Sequence, residues 1–204
     1  VNFILNPYVQ KVRDTMSEVS NFFSKRRSVI ARKMSSKPID KDDLNLIIES
    51  GIRVPDHGAL NPWKLVVIQG DSLKVVDTKI ILSEFIKKNP NMDNKFQEKE
   101  SKKLQRAGAV IAVISTPIDH PSIPEWEMHL SSGAVCMNLL SSAQSMGYAA
   151  QWLTEWYAYN DKMLEFLGGN INKDKISGFI YIGHKIEEPL ERKRPNPFDV
   201  VSFL

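Results

Sequence analysis

Several segments of the chain place hydrophobic residues at three- and four-residue steps, which is the spacing of an amphipathic helix. Short polar residues that can cap a helix precede three of these segments, namely Asp40, Asp71 and either Asn160 or Asp161. Gly147 follows the longest segment, at a position where glycine commonly ends a helix. The predicted helices cover residues 11–25, 40–51, 71–88, 125–146 and 160–168.

Short apolar runs rich in β-branched residues lie between these helices and predict strands. The run at residues 109–115 is almost wholly apolar, which is typical of a central strand buried on both faces. The predicted strands cover residues 65–69, 109–115, 148–154 and 177–182. Together the elements predict an α+β fold in three layers, with helices on both sides of a sheet of four or five strands.

The longest predicted helix, residues 125–146, carries apolar residues such as Trp126, Leu130 and Met137. Small residues such as Ser131 occupy its other faces, where they allow another backbone to approach closely. We therefore expect this helix to lie at the centre of the fold or of a dimer.

Two polar stretches lie outside the predicted core. Residues 89–106 are rich in Lys and Glu and form either a solvated surface helix with a loop or a mobile flap over a site. The C-terminal arm, residues 187–204, ends in an apolar run at residues 198–204, which we expect to pair with a second subunit. Residues 1–20 are expected to be an N-terminal extension of a single domain that spans residues 1–204.

The composition is that of a globular protein. The chain has 204 residues, of which 42% are hydrophobic and 25% are charged, so a core is possible and long disorder is not expected. A net charge of +3 is smaller than a dedicated nucleic-acid binder usually carries. The single cysteine, Cys136, excludes an intramolecular disulfide framework and a multi-cysteine metal site, and it suits a reducing compartment.

Nothing in the sequence predicts a membrane span or a signal peptide. The most apolar run, residues 107–118, is well short of the ~20 residues that cross a bilayer. Residues 1–21 contain no continuous apolar stretch. We therefore expect a cytoplasmic protein without membrane or nucleic-acid partners.

The sequence lacks the usual motifs of metal and nucleotide chemistry. No Gly-x-Gly-x-x-Gly, P-loop or Gly-x-Ser-x-Gly motif occurs. Cys136 is predicted to be a core residue, because it lies among apolar residues within a helix. The histidines without metal-site spacing are His57, His120, His129 and His184.

Two arginines and a serine follow the first predicted helix, at Arg26, Arg27 and Ser28, and Arg32 lies four residues further on. A guanidinium group beside a hydroxyl binds a phosphate or carboxylate well, because it forms bidentate, charge-assisted hydrogen bonds. Cations at the end of a helix also interact favourably with its carbonyl groups. Arg26 and Arg27 therefore have a purely structural interpretation as well.

A loop rich in polar and aromatic residues occupies residues 53–63, directly before the first predicted strand. Two prolines and a glycine restrict its backbone, and it presents Arg53, His57 and Trp63. Such a loop either binds a ligand or is a tight structural turn.

These motifs resemble the nitroreductase family of FMN-dependent oxidoreductases, in particular its compact single-domain branch. The resemblance rests on Arg-Arg-Ser at residues 26–28 and on Pro-Asp-His-Gly-x-Leu-x-Pro-Trp at residues 55–63. Further matching motifs, in consistent order along the chain, occupy residues 126–128, 147–152 and 178–183. The resemblance implies a mostly antiparallel central sheet and a homodimer in which the long helix lies at the interface.

The resemblance also implies FMN at the subunit interface, held by residues of both chains. Arg26, Arg27 and Ser28 of one subunit are expected to bind the phosphate and the ribityl chain. Arg53 and His57 are expected to approach the same flavin from the other subunit. The residues expected to line the isoalloxazine ring or to add a cation to the phosphate are Trp152, Leu153, Thr154 and either Arg192 or Arg194.

By resemblance, the protein is an enzyme that uses NAD(P)H to reduce nitroaromatic, quinone or similar electrophilic acceptors. The implied reaction is a ping-pong hydride transfer through flavin N5, for which no catalytic side chain is expected. Leu153 stands where close members of the family have an arginine, which leaves the choice between NADH and NADPH open. The aromatic residues that form either apolar pocket walls or ordinary core are Trp126, Trp152, Trp156 and Tyr157.

Two other functions are compatible with the sequence. The same flavin fold could perform azoline oxidation or reductive dehalogenation, because the motifs do not specify the acceptor pocket. A non-enzymatic module could bind an acidic partner through the lysine-rich segment and residues 192–194, although the nearly balanced charge argues against it.

Overall fold

A five-stranded antiparallel sheet forms the centre of the structure, a computed structural model that describes residues 17–204. Its strands are β1 (Met34–Ser35), β2 (Trp63–Gln69), β3 (Ala109–Ser115), β4 (Ala149–Leu153) and β5 (Lys175–Lys185). β3 and β4 pair with the same part of β5 from opposite sides, and β2 extends the sheet beyond β3. β1 pairs with the last two residues of β5 and is too short for a sequence pattern to predict. The expected antiparallel sheet is confirmed.

Helices cover both faces of this sheet. In the described part of the chain they are α1 (Glu18–Lys25), α2 (Lys41–Gly51), α3 (Asp71–Val76), α4 (Ser83–Lys88), α5 (Asn94–Glu100), α6 (Glu125–Ser145), α7 (Asp161–Phe166) and α8 (Pro197–Val200). A π-helical turn, Asp77–Leu82, joins α3 to α4, so the single helix predicted over residues 71–88 is interrupted.

Two of the predicted helix caps are confirmed and one is wrong. The side chains of Asp40 and Asn160 accept hydrogen bonds from backbone N–H groups in the first turns of α2 and α7. Gly70, with a φ of 56°, is the N-cap of α3, and Asp71 is the first residue of the helix itself. A carboxylate in the first helical turn still interacts favourably with the helix dipole.

Two hydrophobic cores lie on opposite faces of the sheet, because successive side chains of a strand point to opposite sides. On one face, Ile47 of α2, Val113 of β3 and Leu139 of α6 are fully buried together. On the other face, Val76 of α3 packs in the core that contains Phe179 of β5. The predicted three-layer arrangement is therefore confirmed.

The 21-residue helix α6 turns an unexpected face toward the sheet. Ser131, Ser132 and Leu139 lie on its buried face, whereas Trp126 is 67% exposed and Leu130 is 54% exposed. The serines thus allow close packing within the chain, and Trp126 and Leu130 in the N-terminal half of α6 face outward. α6 therefore packs at the centre of the fold and also presents an open apolar stripe.

Both ends of the described chain expose apolar side chains. α1 has no buried residue, and Val19 and Phe23 are more than half exposed. In the C-terminal arm, Leu190, Phe198 and Phe203 are almost fully exposed. Residues 1–16, which include most of the predicted extension and the start of the predicted first helix, lie outside the described residues. None of the helices between residues 17 and 204 is long and apolar enough to cross a membrane.

Candidate functional site

An arginine cluster forms where the chain leaves α1. The Nε of Arg26 donates to Oε1 of Gln144 at 2.9 Å, and its Nη2 donates to Oγ of Ser28 at 3.3 Å. Arg27 donates through Nε and Nη2 to the carbonyl oxygen of Leu190 at 3.1 and 3.0 Å. Arg194 reaches the same place, because its Nη2 donates to the carbonyl oxygen of Arg26 at 3.4 Å. The structure therefore brings together four of the predicted phosphate-binding residues.

This cluster carries more positive than negative charge. Glu191 is the carboxylate that pairs with it, 3.6 Å from Arg27 and 3.2 Å from Arg194. Burial, Arg194 and Arg27 together lower the pKa of Arg26. Three guanidinium groups beside one carboxylate favour the binding of a further anion. Arg192 contributes its backbone N–H to Glu191, and its side chain is exposed.

A cavity of about 720 Å³ opens beside the cluster, between α1 and the segment that follows β5. Arg26 and Arg27 line it together with Phe22, Tyr148 and Lys185. Its walls combine aromatic surface with cations and with three carboxylates, Glu18, Glu188 and Glu191. The part of the cavity that suits an anion is therefore the arginine cluster itself.

The loop at residues 53–63 forms a tight turn in which three residues have positive φ. Gly58, Ala59 and Asn61 have φ values of 73°, 52° and 48°, and the two non-glycine residues are therefore held in a conformation that costs free energy. The Oδ2 of Asp56 stabilises this turn by accepting a hydrogen bond from the backbone N–H of Asn61 at 2.7 Å.

Two side chains of α6, Glu127 and Asn138, hold this loop against the helix. Nδ1 of His57 lies 2.8 Å from Oε2 of Glu127. Asn138 donates through Nδ2 to the carbonyl oxygen of Arg53 at 2.8 Å, and the Arg53 side chain remains exposed. A small cavity of about 310 Å³ beside His57 is also lined by Leu130.

The arginine cluster and His57 lie at opposite ends of α6. Gln144, which binds Arg26, and Glu127, which binds His57, stand 17 positions apart (144 − 127) on this helix. That separation is about 25 Å along a helix axis. One chain therefore does not bring the two predicted halves of the site together.

The predicted ring-lining residues lie at and just beyond the end of β4. Trp152 is 37% exposed, and its Nε1 donates to the carbonyl oxygen of Ser177 at 3.0 Å. This indole lies against Gly178, where an added Cβ would be only 2.0 Å from Nε1 of Trp152. Leu153 packs partly against the core, which explains an apolar residue at this position, and Thr154 is exposed.

An ion-pair network surrounds Glu155, the residue that follows Thr154. Glu155 accepts hydrogen bonds from Lys103 and, at 2.7 Å, from Nη2 of Arg106. Burial by itself raises the pKa of Glu155, but the hydrogen bonds from Arg106 and Lys103 outweigh it and lower the pKa below its usual range. Glu100, whose Oε1 lies 3.2 Å from Lys103, completes the network.

This network also fixes the C-terminal part of the segment at residues 89–106. Lys103 and Leu104 are buried, and the buried carboxylate of Asp77 accepts the backbone N–H groups of Leu104 and Gln105 at 2.8 and 3.1 Å. The expectation of a solvated surface segment is therefore wrong for this part. Side chains of α5 such as Phe96 are exposed, as that expectation required.

Two of the aromatic residues that the sequence assigned either to pocket walls or to the core lie in or against the core. Tyr157 is fully buried, and its hydroxyl lies 2.5 Å from that of Tyr181, so it is a core residue. Trp156 is half-buried and donates through Nε1 to Oε2 of Glu100 at 3.0 Å. Trp126 and Trp152 remain accessible to a ligand or a partner.

Three residues that hold the site together cannot be recognised from local sequence. Gln144, Glu127 and Asn138 contact partners that are 118, 70 and 85 positions away along the chain. Each is a polar residue on a helix that is otherwise mostly apolar and small, which is the one sequence signal they offer. Among the residues that the structure describes, His, Cys, Asp and Glu form no cluster that could hold a metal ion.

The chain belongs to the nitroreductase family, whose model matches residues 23–184. The YdjA protein of Escherichia coli strain K12, which is named as a candidate NAD(P)H nitroreductase, is 26% identical over 184 residues. That alignment covers 88% of this chain and 95% of YdjA. The family resemblance inferred from the motifs is therefore confirmed.

Solved structures share the fold of this chain. A nitroreductase-like family protein from Bacillus cereus superposes with a TM-score of 0.75 at 22% identity, covering 93% of this chain and 97% of that one. A nitroreductase from Bacteroides fragilis, crystallised with bound FMN, gives a TM-score of 0.67 at 21% identity and covers 93% and 100% of the two chains. These similarities confirm the predicted fold class.

Proposed function

We propose that this protein is an FMN-dependent oxidoreductase that uses NAD(P)H to reduce nitroaromatic, quinone or similar electrophilic acceptors. We further propose that it acts as a homodimer of one FMN-binding domain per chain, with FMN at the subunit interface. The observation that carries the proposal is the cluster of Arg26, Arg27 and Arg194 beside one carboxylate, in a chain of the nitroreductase family.

The cluster fits the phosphate of FMN. Arg26 and Ser28 lie in hydrogen-bond contact, so a guanidinium and a hydroxyl face the same space. Arg27 and Arg194 add two further cations, and one carboxylate, that of Glu191, offsets them in part. A dianionic phosphate would supply the missing negative charge through charge-assisted hydrogen bonds.

The end of β4 fits the flavin ring. The backbone N–H of Val29 donates to the carbonyl oxygen of Ala150 at 3.1 Å, so the arginine cluster lies beside the start of β4. A ligand anchored at this end can therefore extend along β4 to Trp152, Leu153 and Thr154. When bound there, FMN would supply the hydride chemistry, and the chain would bind the ring, orient it and exclude water.

A second subunit would complete the site. Two copies of α6 that run antiparallel about a two-fold axis place the His57 end of one helix beside the Arg26 end of the other. The exposed stripe of Trp126 and Leu130 provides apolar surface for such a contact. The exposed apolar side chains of α1 and of the C-terminal arm would be covered in the same assembly.

His57 would face the flavin through one ring nitrogen. Glu127 engages Nδ1 of His57 and fixes the ring in one orientation. Nε2 of His57 is then the atom that remains to contact the flavin or the acceptor. In this role His57 positions a ligand and does not act as a required base.

A visible spectrum of the purified protein tests the activity. We expect flavin absorbance that is bleached by NADH or NADPH under anaerobic conditions and restored by a nitroaromatic or a quinone. Flavin that NAD(P)H does not bleach would favour another reaction on the same fold, such as azoline oxidation or reductive dehalogenation. Protein that takes up no FMN when FMN is supplied would contradict the proposal.

Mixed dimers test the shared site. We expect Arg26→Ala and His57→Ala each to keep only a small fraction of wild-type activity, whereas equal amounts of the two variants, unfolded and refolded together, regain about a quarter of it. The recovered activity comes from mixed dimers, in which one of the two sites has both residues intact. Wild-type protein taken through the same refolding is the control, and no recovery in the mixture would contradict a site built from both chains.

A further inference from the structure

Gln144 connects three separate elements at the arginine cluster. It lies in the last turn of α6, and its Nε2 donates to the carbonyl oxygens of Arg27 at 2.8 Å and of Ala150 at 3.3 Å. Its Oε1 accepts the hydrogen bond from Nε of Arg26 at 2.9 Å. One half-buried amide group therefore links the end of α6, the segment after α1 and the start of β4.

The contacts of Gln144 fix which way its amide group faces. Two carbonyl oxygens require the NH₂ group as their donor, so the amide oxygen is directed to Arg26. A guanidinium group is planar, and a fixed Nε–H therefore fixes the plane in which its other N–H groups point. Nη2 of Arg26 lies toward Ser28, on the side where the proposed phosphate would bind.

Gln144 is also a neutral partner. A carboxylate in its place would form a salt bridge with Arg26 and reduce the positive charge offered to an anion. The amide orients the guanidinium group and leaves its charge uncompensated. Glu191, the carboxylate of this cluster, pairs with Arg27 and Arg194 and leaves Arg26 to Gln144 and Ser28.

We propose that Gln144 is a positioning residue for the flavin phosphate: it holds Arg26 in the orientation that binds the phosphate and does so without neutralising it. This inference rests on the proposed function, because it assumes that the anion in the cluster is the phosphate of FMN. The role of Gln144 is confined to the phosphate end of the ligand. Gln144 contacts the arginine cluster and the start of β4, and it makes no hydrogen bond to residues 152–154.

The test compares FMN with riboflavin, which has the same ring and ribityl chain but no phosphate. Gln144→Met keeps the length of the side chain and removes its hydrogen bonds, and Gln144→Glu keeps an acceptor for Arg26 but adds a negative charge. The Kd values of both flavins are measured by fluorescence titration of the full-length protein after flavin removal. We expect both variants to bind FMN about tenfold more weakly, with little change for riboflavin.

A merely structural role would weaken the binding of both flavins equally. If the ratio of the FMN and riboflavin Kd values is the same in the Gln144 variants as in the wild type, the inference is overturned. The matched control is Gln97→Met, because Gln97 is a half-buried glutamine whose Nε2 donates to the carbonyl oxygen of Met92 at 2.9 Å. It should leave both Kd values unchanged. If Gln144→Met does not fold, the ratio of the FMN and riboflavin Kd values in Gln144→Leu decides, since leucine is also uncharged and makes no hydrogen bond to Arg26.

The wild-type protein separates this inference from the proposed function. Wild-type protein that binds neither flavin, or binds riboflavin as tightly as FMN, would contradict the proposed phosphate site itself. Wild-type protein that prefers FMN, together with Gln144 variants that keep the full preference, would overturn the positioning role alone.

Discussion

Nδ1 of His57 and Oε2 of Glu127 lie 2.8 Å apart and join two elements that are 70 positions apart in the chain. The contact joins the loop at residues 53–63 to the outward side of α6. Both side chains are substantially exposed, so the pair contributes little to the stability of a single chain. Its importance therefore lies in where it holds the imidazole ring.

Glu127→Leu should separate this positional effect from stability. We expect the free energy of unfolding to change by less than about 1 kcal/mol, because an exposed polar pair contributes little. Turnover of the reductase should nevertheless fall, since leucine offers no acceptor to Nδ1 and the ring of His57 loses its fixed orientation. Urea unfolding and steady-state kinetics on the same preparation check both parts, and unchanged turnover would contradict the proposed place of His57.

Lys103→Met should be strongly destabilising, because it leaves the half-buried Glu155 and the buried Glu100 with less compensating charge. We expect a loss of about 3 kcal/mol in the free energy of unfolding. Lys102→Met is the matched control, since Lys102 forms an exposed pair with Glu98 at 2.7 Å and should cost less than about 1 kcal/mol. Equal effects of the two substitutions in urea unfolding would show that the network contributes no more than a surface pair.

The lowered pKa of Glu155 predicts a pH dependence of stability. Arg106 and Lys103 favour its ionised form against the effect of burial, so the folded protein binds this proton less tightly than the unfolded chain does. The resulting stabilisation is present above the unfolded pKa, about 4.3, and is lost as the pH falls through the lower folded value. We expect the difference in unfolding free energy between the wild type and Glu155→Gln to shrink from about pH 6 to about pH 3. A difference that stays constant with pH would argue against the ion pairs as its source.

Gly178→Ala should displace the indole of Trp152. The new methyl group would overlap Nε1 of Trp152 and break its hydrogen bond to the carbonyl oxygen of Ser177. We expect a shift in the visible absorption bands of bound FMN, because the ring then meets a different surface, whereas the preference for FMN over riboflavin should persist. Flavin bands identical to those of the wild type would indicate that Trp152 does not line the ring.

The sequence predicts the core elements well because their signals are local. Hydrophobic spacing locates α2 and α6, and the apolar run at residues 109–115 locates β3, which is buried throughout. The orientation of α6 is not predictable in the same way, because apolar and small residues occur on all its faces. Packing against the sheet selects the face of Ser131 and Ser132 and leaves Trp126 outside.

The site is only partly predictable for a related reason. Arg26 and His57 stand in recognisable local motifs, but the residues that orient them, Gln144 and Glu127, are set by tertiary contacts over long chain separations. The wrong cap at Asp71 has a local cause: a glycine with positive φ directly before it takes the capping position.

The position of β5 has a consequence for how the chain folds during synthesis. β5 is the last strand of the described sheet to be made, yet it is the strand to which both β3 and β4 pair. Until residues 175–185 leave the ribosome, β3 and β4 have no common partner, and an edge of the apolar β3 stays open. The nascent chain therefore depends on late, long-range pairing, which slows folding and exposes an aggregation-prone edge to chaperones.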